Sequence, residues 1–363
     1  MTVGHGTGER FMPYVELVAA ALRVTTSGRE VRAFNFGVPA AGPGIPSFCF
    51  ATTIRAARAV PWLVLLEFSI NGLDRLDSLV EGLRSTYPDA LVVYLDLFSM
   101  GDLSVPGCGV LRGIGGVLAR HDVPGVSLRP GFMPSADVPG SYKVAGLLFG
   151  NRKRATRTHM NVAGHLIATH AVLDLLADLL DRTEDCRVAR APPRTPALLC
   201  ATLDPLVSGG GGLLSANVSG DDAAAWRFEL VNDDPKKPVY AVGPQLSRAT
   251  LTLPFTLRET SSVFLAFMQS FRAKAPYGVA AVAVDGGAAV LFDGGTLLEK
   301  HHVLMTRSIA AEAAPGVRHE IEVKMTDRTQ TAGHAFAVYG IFASAPRPSR
   351  IPALLLADAD DGG

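Results

Sequence analysis

The chain has 363 residues, too many for one ordinary core, so two domains are the default. Hydrophobic residues make up 48% and charged residues 19%, which excludes a disordered chain and fits substantial cores. With 34 basic and 34 acidic residues the formal net charge is zero, so there is no electrostatic footprint for nucleic acid or an anionic membrane.

The opening, "MTVGHGTG", is a glycine-rich turn that runs straight into "PYVELVAAALRV", whose apolar residues recur at helical spacing. Such a turn usually follows a buried strand. No basic and apolar leader pattern is visible, and the compartment stays open; a longer native amino terminus would allow secretion. "EVRAFNFGV" predicts a strand near 30–36, and "IPSFCFATTIRAARAV" a helix. "PWLVLLEFSI" predicts a strand near 62–68; it is too short to span a bilayer and carries Glu67. An amphipathic helix, "LDSLVEGLRSTYP", precedes a strand near 90–96 in "ALVVYLDLF". "NVAGHLIATHAVLDLLADLLDR" is a long helix whose His and Asp residues mark it as core-facing, so no transmembrane segment is expected. Strands alternating with helices predict an α/β domain with a parallel sheet covered on both faces.

Periodicity is lost in "TEDCRVARAPPRTPA". The expected organisation is an α/β domain over 1–182, a linker over 183–200, a β domain over 201–345 and a tail over 346–363. The β domain reads as short strands between glycine turns, with a hairpin signal at "VDGGAA", and predicts an antiparallel sandwich in which Trp226 and Tyr240 are core residues. None of Cys49, Cys108, Cys186 and Cys200 forms a CxxC pair, so a zinc or thioredoxin-type site is not expected. Cys186 and Cys200 flank the linker and suit a disulfide if the protein is secreted; four buried thiols are the alternative.

Three stretches carry possible chemistry, and the first is the opening turn. In "LVLLEFSINGLD" a buried strand ends just before Asn71, where the carboxyl ends of parallel strands line a crevice. An Asn there can donate to a developing oxyanion, or it makes an Asx turn. In "TRTHMNVAGHLIATHAV" His159 precedes a helix that Asn161 can cap, the position of a general base. His165 and His170 lie inside that helix and read as core or surface residues, and the spacing of the three does not suggest a metal site.

In order, the glycine turn, "NFGVPAAG", "EFSIN" and "HMNVAGH" resemble the SGNH/GDSL hydrolases over roughly the first 180 residues. The resemblance implies a flavodoxin-like three-layer α/β domain bearing a serine esterase site, with an accessory sandwich behind it. It puts Thr2, Val3 and Gly4 in register with the nucleophile block, so the serine's place falls immediately before Met1. The first strand and the nucleophile are then expected upstream, and a one-strand gap between the strands near 30–36 and 62–68. The resemblance implies a backbone oxyanion donor at Ala40, a side-chain donor at Asn71 and the base at His159. Thr156 stands where the triad's acid belongs and carries no charge. It implies an acyl ester substrate, either a small molecule or an O-acylated carbohydrate, and no cofactor. A non-catalytic binding or structural relative and an acyltransferase remain as alternatives.

Overall fold

The computed structural model describes residues 13–26, 30–37, 41–69, 73–98, 109–132, 146–149, 160–181, 199–202, 214–230, 238–270, 276–295, 302–329 and 333–345. The first domain runs α1 (Tyr14–Thr25), α2 (Gly44–Ala56), β1 (Leu63–Leu66), α3 (Leu76–Thr86), β2 (Leu91–Asp96), α4 (Gly109–Arg120), β3 (Gly125–Ser127), α5 (Arg129–Phe132) and α6 (Val162–Asp181). The strands form a parallel sheet in the order β1-β2-β3.

The apolar run of β2 explains the three layers. Val93 and Leu95 point to one face, where they pack with Tyr14 and Val18 of α1 and Ala168, Val172 and Leu176 of α6. Val92 and Tyr94 point to the other, against Leu76, Leu79 and Leu83 of α3 and Ile114 and Val117 of α4. A strand buried on both faces must be apolar at successive positions, which is how "LVVYL" reads. Helix α6 is long and apolar enough to cross a membrane, and its buried residues, among them Ala168, Val172 and Leu176, pack with α1 and the sheet.

The strand expected near 30–36 does not form. Side chains alternate, with Val31 buried and Arg32, Phe34 and Phe36 exposed, but no ladder joins the segment to a described strand. The Asn35 side chain accepts from the Gly37 amide at 3.0 Å, so an Asx turn closes the stretch. Alternation makes a segment extended, but a strand also requires a hydrogen-bonded neighbour. The expected gap therefore has no second bank among the described residues, and β1 pairs with β2.

The second domain is the expected antiparallel sandwich. One sheet has the order β11-β10-β13-β8-β5 and the other β12-β9-β14-β7-β6, with β4 on β14. The ranges are β4 Leu199–Thr202, β5 Asn217–Ser219, β6 Trp226–Leu230, β7 Pro238–Val242, β8 Thr250–Thr256, β9 Ser261–Ser270, β10 Val279–Val284, β11 Val290–Asp293, β12 His302–Ala313, β13 Arg318–Met325 and β14 Phe336–Ser344. Inward residues of both sheets, among them Leu251, Leu265, Val282, Ile321 and Val338, make its core. Trp226 belongs to that core, and Tyr240 packs partly buried against it. At the expected hairpin Asp285 and Gly286 take φ values of 53° and 69°, as a tight turn between antiparallel strands requires.

Helix α2 joins the two domains. Phe50, Ala51 and Ile54 face α3, while Ile45, Phe48 and Cys49 face Ala266, Tyr339 and Phe342 of the sandwich. Cys49 is disulfide-bonded to Cys200, their Cα atoms 5.3 Å apart. This corrects the pairing of Cys200 with Cys186, which lies outside the described residues. Cys200 is held by the ladder opposite Phe342, and Phe342 lies beneath α2, so the sheet delivers it to Cys49 across 151 residues of chain. Closing so long a loop stabilises by about 2–4 kcal/mol. Non-reducing peptide mapping is expected to join the fragment with Cys49 to that with Cys200, and Cys49→Ser with Cys200→Ser to lower stability by about that amount. A Cys186–Cys200 fragment would contradict the assignment.

Candidate active site

The described residues build the carboxyl edge of the parallel sheet. Beyond β1 the chain reaches Ser69, which is 4% exposed, and its hydroxyl lies 3.2 Å from the Tyr94 hydroxyl. Burial pushes the Tyr94 phenol well above its ordinary pKa, so it stays neutral and tethers the end of β1 to β2.

Asp96 ends β2 and is buried. Its carboxylate accepts from the Ser127 hydroxyl at 2.6 Å and from Arg129 Nε at 3.0 and 3.1 Å. Arg129 also donates through Nη2 to the Leu97 carbonyl at 3.0 Å. A buried carboxylate is tolerated only when paired and hydrogen-bonded, and here its partners come from β3 and the start of α5. The cluster fixes the end of β2 to the end of β3. Its one sequence signal is an Asp interrupting the apolar run "LVVYLDLF"; the partners lie more than 30 residues away.

Helix α6 begins at the same edge. The Asn161 side chain accepts from the Gly164 amide at 3.1 Å, the N-cap expected of it, and donates to the Leu147 carbonyl at 2.7 Å. A Cβ on Gly164 would meet the Leu148 carbonyl at 2.8 Å, so the "GH" glycine permits a close approach. Met160 is fully buried and bridges Phe149, whose ring packs 5.2 Å from that of Phe98 just beyond β2.

His165 is buried and its Nδ1 accepts from the backbone N–H of Tyr14 at 3.2 Å. It satisfies an open amide at the start of α1, which brings the amino ends of α1 and α6 together. That bond assigns the proton to Nε2, and desolvation drops the pKa from 6.5 to about 4. His170 is exposed. Both are the core and surface residues expected of them.

The site residues named from the sequence, Ala40, Asn71, Thr156 and His159, lie outside the described residues, as does Gly4. Described residues beside three of them stand in defined places: Ala41 bridges Leu304 of the sandwich, Ser69 meets Tyr94, and Met160 packs under the start of α6. Among the described residues no group of three or more His, Cys, Asp and Glu is placed to hold a metal ion.

Comparison with known protein families finds no match, and neither does comparison with curated proteins. Solved structures do match. A two-domain esterase active on acetylated mannans, co-crystallised with mannopentaose, superposes with a TM-score of 0.57 at 17% identity, covering 95% of this chain and 88% of its own. A second structure of a two-domain esterase active on acetylated mannans gives 0.56 at 16%, covering 95% and 89%. This chain therefore has the two-domain fold of that esterase, a parallel α/β domain followed by antiparallel sheets.

The His165 ring sets a dependence on pH. An unfolded chain binds its proton near pH 6.5, the folded one only near 4, so acid favours unfolding. The contribution is complete above pH 6.5 and is lost as pH falls toward 4, on the order of 3 kcal/mol in all. His165→Asn keeps an acceptor near the place of Nδ1 and removes the titration. Unfolding by urea between pH 7 and 4.5 is expected to show a shallower loss of stability in the variant; equal slopes would contradict the burial of a neutral ring.

Proposed function

We propose that the protein is an ester hydrolase of the SGNH type that acts on acyl esters of carbohydrate. The observation that supports this most is the likeness, over both domains, to an esterase active on acetylated mannans. The order of the four sequence stretches adds to it, and the described residues next to three of them fit: Ser69 lies beyond β1, and the first turns of α1 and α6 meet through Tyr14 and His165. The carboxyl edge of the sheet is where parallel α/β folds bind their ligands.

In this reading a serine hydroxyl attacks the ester carbonyl while His159 takes its proton. The oxyanion is held by the Asn71 side-chain amide and the backbone N–H at Ala40. The proton then passes from His159 to the departing sugar oxygen, and water repeats the sequence to release the acid. Thr156 can accept one hydrogen bond from the ring but cannot stabilise the imidazolium; loss of the triad's acid costs a serine protease about 10⁴-fold in turnover. No residue of the 363 supplies the serine at its place in the register, so these residues alone are expected to give no turnover.

Acetate release from 4-nitrophenyl acetate and acetylated mannan tests this. The 363-residue chain should be inactive. A form lengthened at its amino end by an apolar strand ending in Gly-Asp-Ser should gain turnover, and His159→Ala should abolish it. Turnover by the 363 residues that His159→Ala removes would show that another side chain is the nucleophile and that the register is wrong.

A further inference from the structure

The described residues that follow the two proposed oxyanion positions meet the sandwich at one place. Ala41, one residue after Ala40, forms a parallel bridge with Leu304 of β12. Asp74, three residues after Asn71, accepts a hydrogen bond from the Thr306 hydroxyl at 3.1 Å. Leu304 and Thr306 are two apart on β12, so both loops are fastened to successive same-facing positions of one strand. That strand is the edge of its sheet, and its outer side is where a loop can bind. Gly44 completes the approach, because a Cβ there would overlap the Thr306 hydroxyl.

Arg75, next to Asp74, is in the left-handed region at φ 63°. A residue with a Cβ is held there only when its surroundings demand it. The demand here comes from its side chain. The guanidinium lies 4.0 Å from the centre of the Phe48 ring and 4.7 Å from that of Phe264 on β9, and Nε donates to the Ser47 hydroxyl at 3.0 Å. Ser47 in turn donates to the Gly44 carbonyl at 2.7 Å. The chain after Asn71 and the chain after Ala40 are thereby tied to each other and to the sandwich.

We propose that β12 is the fixture on which both oxyanion loops are set, with Arg75 and Thr306 as positioning residues. The role in catalysis rests on the esterase reading above; the fixture itself does not. On this basis the sandwich is a working part of the site, whatever it binds on its own surface.

Hydrogen–deuterium exchange of the full chain tests the fixture. Arg75→Asn removes the stacked cation while keeping a residue that tolerates positive φ. Thr306→Val removes the hydroxyl at constant shape and serves if the first variant does not fold. Peptides covering 41–46 and 73–80 are expected to exchange about tenfold faster in Arg75→Asn, and less so in Thr306→Val, with α6 and β13 unchanged. Unchanged exchange in those peptides, or equal acceleration throughout, would overturn the fixture. In the serine-bearing form the same variants should lower kcat and leave KM within about twofold, as loss of transition-state positioning does. Loosened loops with unchanged kcat would remove the oxyanion donors from these loops and leave the fixture standing. No activity in any serine-bearing form would count against the esterase reading alone.

Discussion

The joining of the two domains depends on helix α2 being buried on two opposite sides. Most soluble helices keep one face in water, but α2 buries nine residues, from Gly44 to Ile54, between two cores. Phe48 stacks on Phe342 at 5.1 Å and leans on Phe264 at 4.9 Å, while Phe50 reaches α3 on the far side. Each such side chain withdrawn from water contributes about 1.5–3 kcal/mol, so separating the domains would expose a surface costly to hydrate. The Cys49–Cys200 disulfide holds the same junction covalently. A sandwich attached in this way is part of the fold and does not behave as a module on a string.

The carboxyl edge of the parallel sheet is tied by hydrogen bonds of its own. Ser69 with Tyr94, and Asp96 with Ser127 and Arg129, pin successive strand ends to one another. His165 pins the start of α1 to α6. These are buried, hydrogen-bonded polar groups whose geometry is costly to change. Loops that leave such an edge start from fixed points, which is what a site with several donors on separate loops requires.

How much of this is legible in the sequence follows from what each feature needs. Helices α1, α3 and α6 and strands β1 and β2 announce themselves through periods of 3.6 or through unbroken apolar runs, because one element's own burial writes that pattern. The Asp285–Gly286 turn is equally local. The segment at 30–37 has the alternation of a strand without the ladder, since no residue pattern records whether a neighbour lies alongside. The disulfide is misplaced by sequence because Cys186 is near Cys200 along the chain whereas Cys49 is near it in space. Arg75 and Thr306 carry no sequence signal at all; their meaning arises only when β12 and β9 meet the end of β1. The motif residues Ala40, Asn71, Thr156 and His159 come from order and spacing, and the structure speaks to the residues beside them.

The most direct measurement is a crystal structure of the chain with an acetylated manno-oligosaccharide. An acetyl carbonyl about 3 Å from the Asn71 side-chain nitrogen, at the carboxyl end of β1 and beside Asn161, is the expected result. Ala41, Gly44 and Asp74 should still lie against β12, as they do here. A ligand bound away from that edge, or a sandwich swung off α2 with the disulfide as its one remaining tie, would contradict the account.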